Sequence, residues 1–140
     1  MNIRIKKMHP DGKTPVYVQP GDVAMDLFSR ETKTLQPGER ALFFIGYAFE
    51  IPAGHAGLIW DRSGLSNKQG LKLLGGVIDS NYRGEIAVGL VNLSQAAYTI
   101  TVGDRVAQML IQPVENPTLE EVAELSETLR GVGGFGSTGK

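Results

Sequence analysis

Short apolar or alternating runs, broken by Pro and Gly at a spacing of roughly 8–12 residues, set the rhythm of this chain and predict the strands of a sandwich or barrel. The runs are Ile3 to Lys7, Val16 to Val18, Lys33 to Leu35, Ala41 to Ile45, Tyr47 to Ile51, Ala56 to Trp60, Leu71 to Leu74, Glu85 to Asn92, Tyr98 to Val102 and Val106 to Gln112. Between them, Gln36-Pro37-Gly38-Glu39 and Pro52-Ala53-Gly54 place Pro at the first corner of a turn with Gly after it. Val102-Gly103-Asp104 separates two further runs. The pattern predicts an all-β body. One stretch argues otherwise: Asn116 to Leu125 opens on a cap-like Asn, puts Pro117 at a possible first helical position and continues with good helix formers.

The run Glu85 to Asn92 does not alternate. Ile86, Val88 and Leu90 share one face while Ala87, Gly89 and Val91 share the other, so both faces are apolar. An antiparallel strand with one wet face reads apolar then polar. This strand is therefore either central in a sandwich or pressed against another subunit.

Composition narrows the class. At 140 residues the chain fits one domain that buries roughly two-thirds of its unfolded surface. It has no cysteine, and His9 and His55 are the only histidines, so the usual zinc ligands are missing and any metal should be a hard, oxygen-bound ion such as magnesium. The formal charge of −1 gives no field to steer a large polyanion, which argues against a nucleic-acid surface. No run approaches the ~20 apolar residues of a membrane span. The expectation is a soluble protein of the cytoplasm, binding neither nucleic acid nor membrane.

Three segments carry candidate chemistry. The last eleven residues, Arg130 to Lys140, hold five glycines and one aromatic, too little to build a core. Bare glycine N–H groups approach a ligand closely, Arg130, Ser137 and Thr138 offer donors to phosphate oxygens, and Phe135 offers a face for a base. The letters Gly134 to Lys140 also match Gly-x4-Gly-Lys, but a phosphate-binding P-loop continues into a helix and this chain stops. The second segment, Gly75-Gly76-Val77-Ile78-Asp79-Ser80-Asn81-Tyr82-Arg83-Gly84, sets a carboxylate at the start of a polar turn beside an apolar pair. Most aspartates in such a place cap the turn, while one beside a hydrophobic wall can also serve as a general base. The third, Arg62-Ser63-Gly64, offers a planar fork, a hydroxyl and a close N–H, a compact phosphate grip.

Taken together the segments resemble the trimeric deoxyuridine triphosphatases (dUTPases), whose five ordered motifs find counterparts in Ala24-Met25-Asp26-Leu27, Arg62-Ser63-Gly64-Leu65, Gly76 through Gly84, Gly103 through Gln108, and the tail. The resemblance implies a jelly-roll-like β barrel over residues 1–129, a flexible glycine-rich lid at 130–140, and a homotrimer whose active sites are shared between chains. It also implies hydrolysis of dUTP to dUMP and diphosphate with Mg2+. In that reading Asp79 activates the water, and Tyr82 underlies the deoxyribose and leaves no room for a 2′-hydroxyl. Backbone groups around Gly75, Gly76, Val77, Ile78 and Ala87 read uracil. Arg62, Ser63, Gly64 and Gln108 hold phosphates, and Asp26 reaches the metal through bound water. Arg130, Gly136, Ser137 and Thr138 close on the γ-phosphate, with Phe135 over the base.

Three points depart from the family pattern or compete with it. Asp61 puts a carboxylate before Arg62, where it either pairs with that arginine or points away. The segment before Asp79 is short and has no asparagine ahead of its glycines, which leaves uracil recognition to the backbone. The stretch from Pro117 to Leu125 is extended in the family, against its helical propensity. A dCTP deaminase shares the fold but needs a glutamate about ten residues beyond the aspartate, where this chain has Gly89. A non-catalytic trimer that binds dUTP as a signal would keep the same pocket.

Overall fold

The computed structural model describes residues 1–134. Its strands are β1 (Arg4–Lys7), β2 (Met25–Phe28), β3 (Lys33–Leu35), β4 (Arg40–Phe44), β5 (Tyr47–Glu50), β6 (His55–Trp60), β7 (Leu71–Leu74), β8 (Val77–Ile78), β9 (Ala87–Asn92), β10 (Tyr98–Ile100) and β11 (Arg105–Pro113), with one wide helical turn at Gly64–Lys68. The mostly-β expectation holds. The strands form a four-stranded sheet β2-β11-β6-β8, a three-stranded sheet β4-β9-β7 and two pairs, β1-β5 and β10-β3, all antiparallel. Among the described residues no sheet closes on itself, so the expected barrel is present as open sheets around one core. No helix among these residues is long and apolar enough to cross a membrane.

The pattern located most strands and missed those it could not encode. β2 is buried at all four positions, Asp26 included, so it has no alternation to detect. β8 is two residues long. The expected strand at Val16 to Val18 is reduced to a single bridge, Val16 to Asp26. From 114 to 134 no helix forms, and Leu119 and Leu125 are 91% and 87% exposed. Without an apolar face to bury, helical propensity there does not repay nucleation.

Leu27, Phe43, Val88 and Met109, each 0% exposed, mark the core where the two larger sheets face each other. Ile86 and Leu90 join it from the inner face of the β9 segment. The outer face is different. Gly89 pairs with Leu42 on one side and Leu74 on the other, and both leucines remain about half exposed around a hollow of about 450 Å³. Among the described residues this apolar face is uncovered.

A polar node fixes the approach to β9. Glu85 Oε1 accepts Arg30 Nε at 2.6 Å and the Gly46 N–H at 2.7 Å, and Oε2 accepts Arg30 Nη2 at 3.3 Å. Gly46 has φ +77° and packs on Gly12 so closely that a Cβ would lie 2.4 Å from Gly12 Cα. Burial favours the neutral carboxyl of Glu85, but the Arg30 and Gly46 hydrogen bonds and the Arg30 charge outweigh it and hold the pKa below its ordinary 4.5. A depressed folded pKa means stability that is full above the unfolded value and lost as pH falls through the folded one. Glu85→Gln should therefore lower stability by about 2 kcal/mol at pH 7. In thermal melts the wild-type advantage should shrink as pH drops below 4.5. A gap that stays constant to pH 3 would refute this role.

Candidate active site

Three neighbouring strand positions assemble the first half of the site. Gln108 of β11 pairs with Asp26 of β2 on one side and with Trp60, the last residue of β6, on the other. The chain then turns through Asp61 and Arg62 into the wide helical turn. Asp26 Oδ1 accepts Arg62 Nε at 2.9 Å and Oδ2 receives Arg105 Nε at 3.1 Å, in a carboxylate only 12% exposed. A cleft of about 380 Å³ opens here, lined among others by Asp26, Arg62, Ser63, Gly64, Arg105 and Gln108. Asp22 also lines the cleft and balances the second arginine, but its carboxylate is turned onto the Val18 and Gln19 N–H groups. It is therefore the directed donors, two guanidinium groups with the hydroxyl, bare glycine and amide beside them, that suit an anion with several oxygens. Arg105 is a residue that sequence reasoning passed over. The sequence places it inside the fourth motif without a role, and pairing of β11 with β2 is what turns it toward Asp26.

Asp61 points away from Arg62. Its Oδ1 accepts the Leu73 N–H at 2.7 Å, its Oδ2 pairs with Lys72 Nζ, and its backbone carbonyl accepts Gln108 Nε2 at 2.8 Å. On this side a second hollow of about 230 Å³ is lined by Trp60, Asp61, Lys72, Gly75, Gly76 and Val77, with neighbours from β6 and β7. Gly76, at φ +128°, lets the chain pass so near β6 that a Cβ would lie 2.7 Å from the Ile59 carbonyl. The Ile59 N–H in turn donates to the Gly76 carbonyl at 2.7 Å. β8 follows as the outermost strand of its sheet, so among the described residues one side of its backbone has no ladder partner, an edge that suits a flat hydrogen-bonding ligand. Ala87 starts β9, two residues before the Gly89 that pairs with Leu74 at the end of β7.

Asp79 lies just beyond β8, exposed, on a turn closed by the Tyr82 N–H donating to the Asp79 carbonyl at 3.1 Å. Arg83 Nη1 donates to the carbonyls of Ser80 and Tyr82 at 2.6 and 2.9 Å, bracing the turn from beneath. Tyr82 Oη donates to the Glu85 carbonyl at 3.0 Å, and its ring lies across Gly84, where a Cβ would fall 2.3 Å from the hydroxyl. The catalytic candidate is thus carried on a turn with a fixed shape.

The two halves do not meet in one chain. Ile78 pairs with Gly57, so Asp79 lies at the start of β6, whereas Arg62 follows its end. The four steps from Ala56 to Trp60 alone span about 13 Å. Arg130 is exposed and its Nε donates to the Gly133 carbonyl at 2.8 Å, remote from either half in sequence and in pairing. The expectations for Phe135, Gly136, Ser137 and Thr138 lie outside the described residues.

The donor set decides how a cation could be held. Among the described residues no three His, Cys, Asp or Glu side chains converge, and each oxygen of Asp26 already faces an arginine. Direct chelation by the protein does not fit this arrangement. An ion carried on ligand phosphates, its waters donating to Asp26, does.

Comparison with known proteins gives a consistent picture. A family model described as dUTPase matches residues 11–139. The deoxyuridine 5'-triphosphate nucleotidohydrolase of Nautilia profundicola is 46% identical over 142 aligned positions, covering 100% of both chains. The dUTPase of Staphylococcus bacteriophage 80alpha, solved with dUPNHPP, superposes with a TM-score of 0.94 at 30% identity, covering 99% of each chain. A mutant dUTPase of S. aureus phage phi11, described with a structural Mg(II) ion, superposes with a TM-score of 0.85 at 27% identity, covering 91% of this chain and 100% of its own.

If the cleft around Asp26 is an anion grip, Arg62→Ala should weaken binding of inorganic tripolyphosphate at least about tenfold, the loss of a charge-assisted pair of bonds. Calorimetric titration reads this directly, and equal affinity in the variant would remove Arg62 from the grip.

Proposed function

The chain belongs to the dUTPase family and is a dUTP diphosphatase that converts dUTP and water to dUMP and diphosphate, and from that premise we propose how its own residues act. The reaction limits uracil incorporation into DNA and supplies dUMP. Asp79 accepts a proton from a water molecule whose oxygen attacks the α-phosphorus. The new P–O bond forms as the bond to the bridging oxygen of the diphosphate breaks. The observation that carries this role is the braced turn: Asp79 directly follows an open strand edge, its carbonyl accepts the Tyr82 N–H, and the Tyr82 ring is pinned across Gly84 by the Glu85 carbonyl. On this reading the free edge of Val77 and Ile78, with the Gly75-Gly76 corner and Ala87, reads the uracil rim, and Tyr82 packs under the deoxyribose. Arg62, Ser63, Gly64 and Gln108 hold the triphosphate in line.

A divalent cation, which we read as magnesium, would be held with Asp26 as its protein partner through bound water, and would supply neutralisation of the charge on the departing diphosphate. The protein's own share is positioning and electrostatics, which suits phosphoryl transfer because little covalent help is needed. Residues 130–140 act as the lid, with Arg130, Gly136, Ser137 and Thr138 on the γ-phosphate and Phe135 stacked on uracil, over a body formed by residues 1–129.

The separation of Asp79 from Arg62 along β6 supports a site shared between copies, and the uncovered apolar face at Leu42, Leu74 and Gly89 supports an assembly, which we take to be a homotrimer of jelly-roll-like subunits. Its sites would then draw Asp79 from one chain and Arg62 from another.

Diphosphate release should be seen from dUTP and not from dCTP, dTTP or UTP. Asp79→Asn should bind dUTP normally and turn it over at least about a hundredfold more slowly. Near-normal turnover in that variant would end the assignment. Shared sites make a further claim: an inactive Asp79→Asn chain reassembled with an inactive Arg62→Ala chain should regain roughly a quarter of wild-type activity by random assortment. Mixtures as inactive as their components would place both residues in one chain's site.

A further inference from the structure

Asp61 takes no part in the steps above, yet it joins the two hollows. Its side chain, 20% exposed, hydrogen-bonds the backbone of β7, the strand that runs into the Gly75-Gly76 corner, while its carbonyl holds Gln108 of the anion cleft. Arg62 is the next residue, and its carbonyl accepts the Ser66 N–H at 2.9 Å, fastening the far side of the loop. Asp61 therefore fastens the near side. The arrangement has an electrostatic cost, because a carboxylate next to the grip repels a polyanion. Lys72, on the adjacent position of β7, lies directly on that carboxylate.

We propose that Asp61 and Lys72 are a charge-balanced positioning pair for dUTP: Asp61 anchors the Arg62-Ser63-Gly64 loop and Gln108 to β7, and Lys72 cancels the charge that this anchor brings to the triphosphate. The inference rests on the reading of Arg62 and Gln108 as triphosphate ligands. Opposite charges in hydrogen-bond contact largely neutralise each other at a distance, whereas an unpaired carboxylate acts over about 10 Å at 0.1 M salt and about 3 Å at 1 M.

The test is steady-state dUTP hydrolysis at 0.1 M and 1 M salt by wild type, Lys72→Met, Lys72→Arg and the double variant Lys72→Met with Asp61→Asn. Lys72→Met should raise KM about fivefold at low salt, with kcat little changed, and the difference should close at high salt. Lys72→Arg should keep the wild-type KM. The double variant should recover it, since an asparagine oxygen still accepts the Leu73 N–H without the charge. An unchanged KM in Lys72→Met overturns the proposal. So does a rise that persists at 1 M salt or in the double variant, since packing of the lysine stem would then be its cause. Trp60, the only tryptophan of the chain, lines the hollow beside Asp61 and gives a second readout. Titration with tripolyphosphate, followed by Trp60 fluorescence, should show the same order of affinities. If wild type released no diphosphate from dUTP, the functional reading would fall, while the fluorescence series would still support or overturn the pair.

Discussion

One carboxylate sets the frame on which the rest of the molecule is hung. Glu85 ties the Arg30 loop after β2 to the Gly46 corner between β4 and β5, and both to the start of β9. The node is largely withdrawn from solvent, with Arg30 and Glu85 side chains 20% and 17% exposed, so its hydrogen bonds are stronger than a surface pair would make and costlier to leave half-formed. The same residue offers its backbone carbonyl to Tyr82. Core alignment and the shape of the Asp79 turn therefore share a single support. Gly46 and Gly84 are glycine for the same reason: each lets another group approach where a Cβ would collide.

β6 then distributes the chemistry. Its first residues pair with β8 and so place the Asp79 turn, while its last residue leads into the Arg62 loop. A strand is stiff, so the ends it separates stay separated. This rigidity argues for a site completed between copies more strongly than any exposed surface does. The two apolar faces of β9 differ accordingly: the inner one lies in the core, and the outer one around Gly89 is uncovered among the described residues.

Electrostatics here is local. The formal charge of −1 gives no steering field, yet Arg62 and Arg105 converge on one nearly buried aspartate at the edge of a polar cleft of about 380 Å³. Asp26 bonds both arginines directly, so their guanidinium groups are oriented by the fold itself. The ordering cost has been met by the fold rather than by binding. The same logic explains why a cation fits best as part of the substrate, since the carboxylate facing the cleft is already engaged by arginine.

Much of this was legible in the sequence. Period-2 runs and Pro-Gly breaks located most strands, and side-chain chemistry singled out Arg62 and Asp79, because such preferences are written residue by residue; Asp26, Tyr82 and Gln108 entered only through the likeness to the dUTPase motifs. What the letters do not carry is pairing. β2 has no alternation because both of its faces are buried, Arg105 gains meaning only when β11 lies beside β2, and Asp61 could not be assigned a partner until β7 arrived next to the end of β6. Helical propensity at Asn116 to Leu125 likewise lost to the lack of a surface to pack against. The sequence by itself determined the mostly-β class and, through its likeness to the dUTPase motifs, the kind of chemistry. Only the tertiary structure decided which charges meet, and that Asp79 and Arg62 of one chain do not, since distance between residues remote in sequence is set by strand register and burial, which no local pattern encodes.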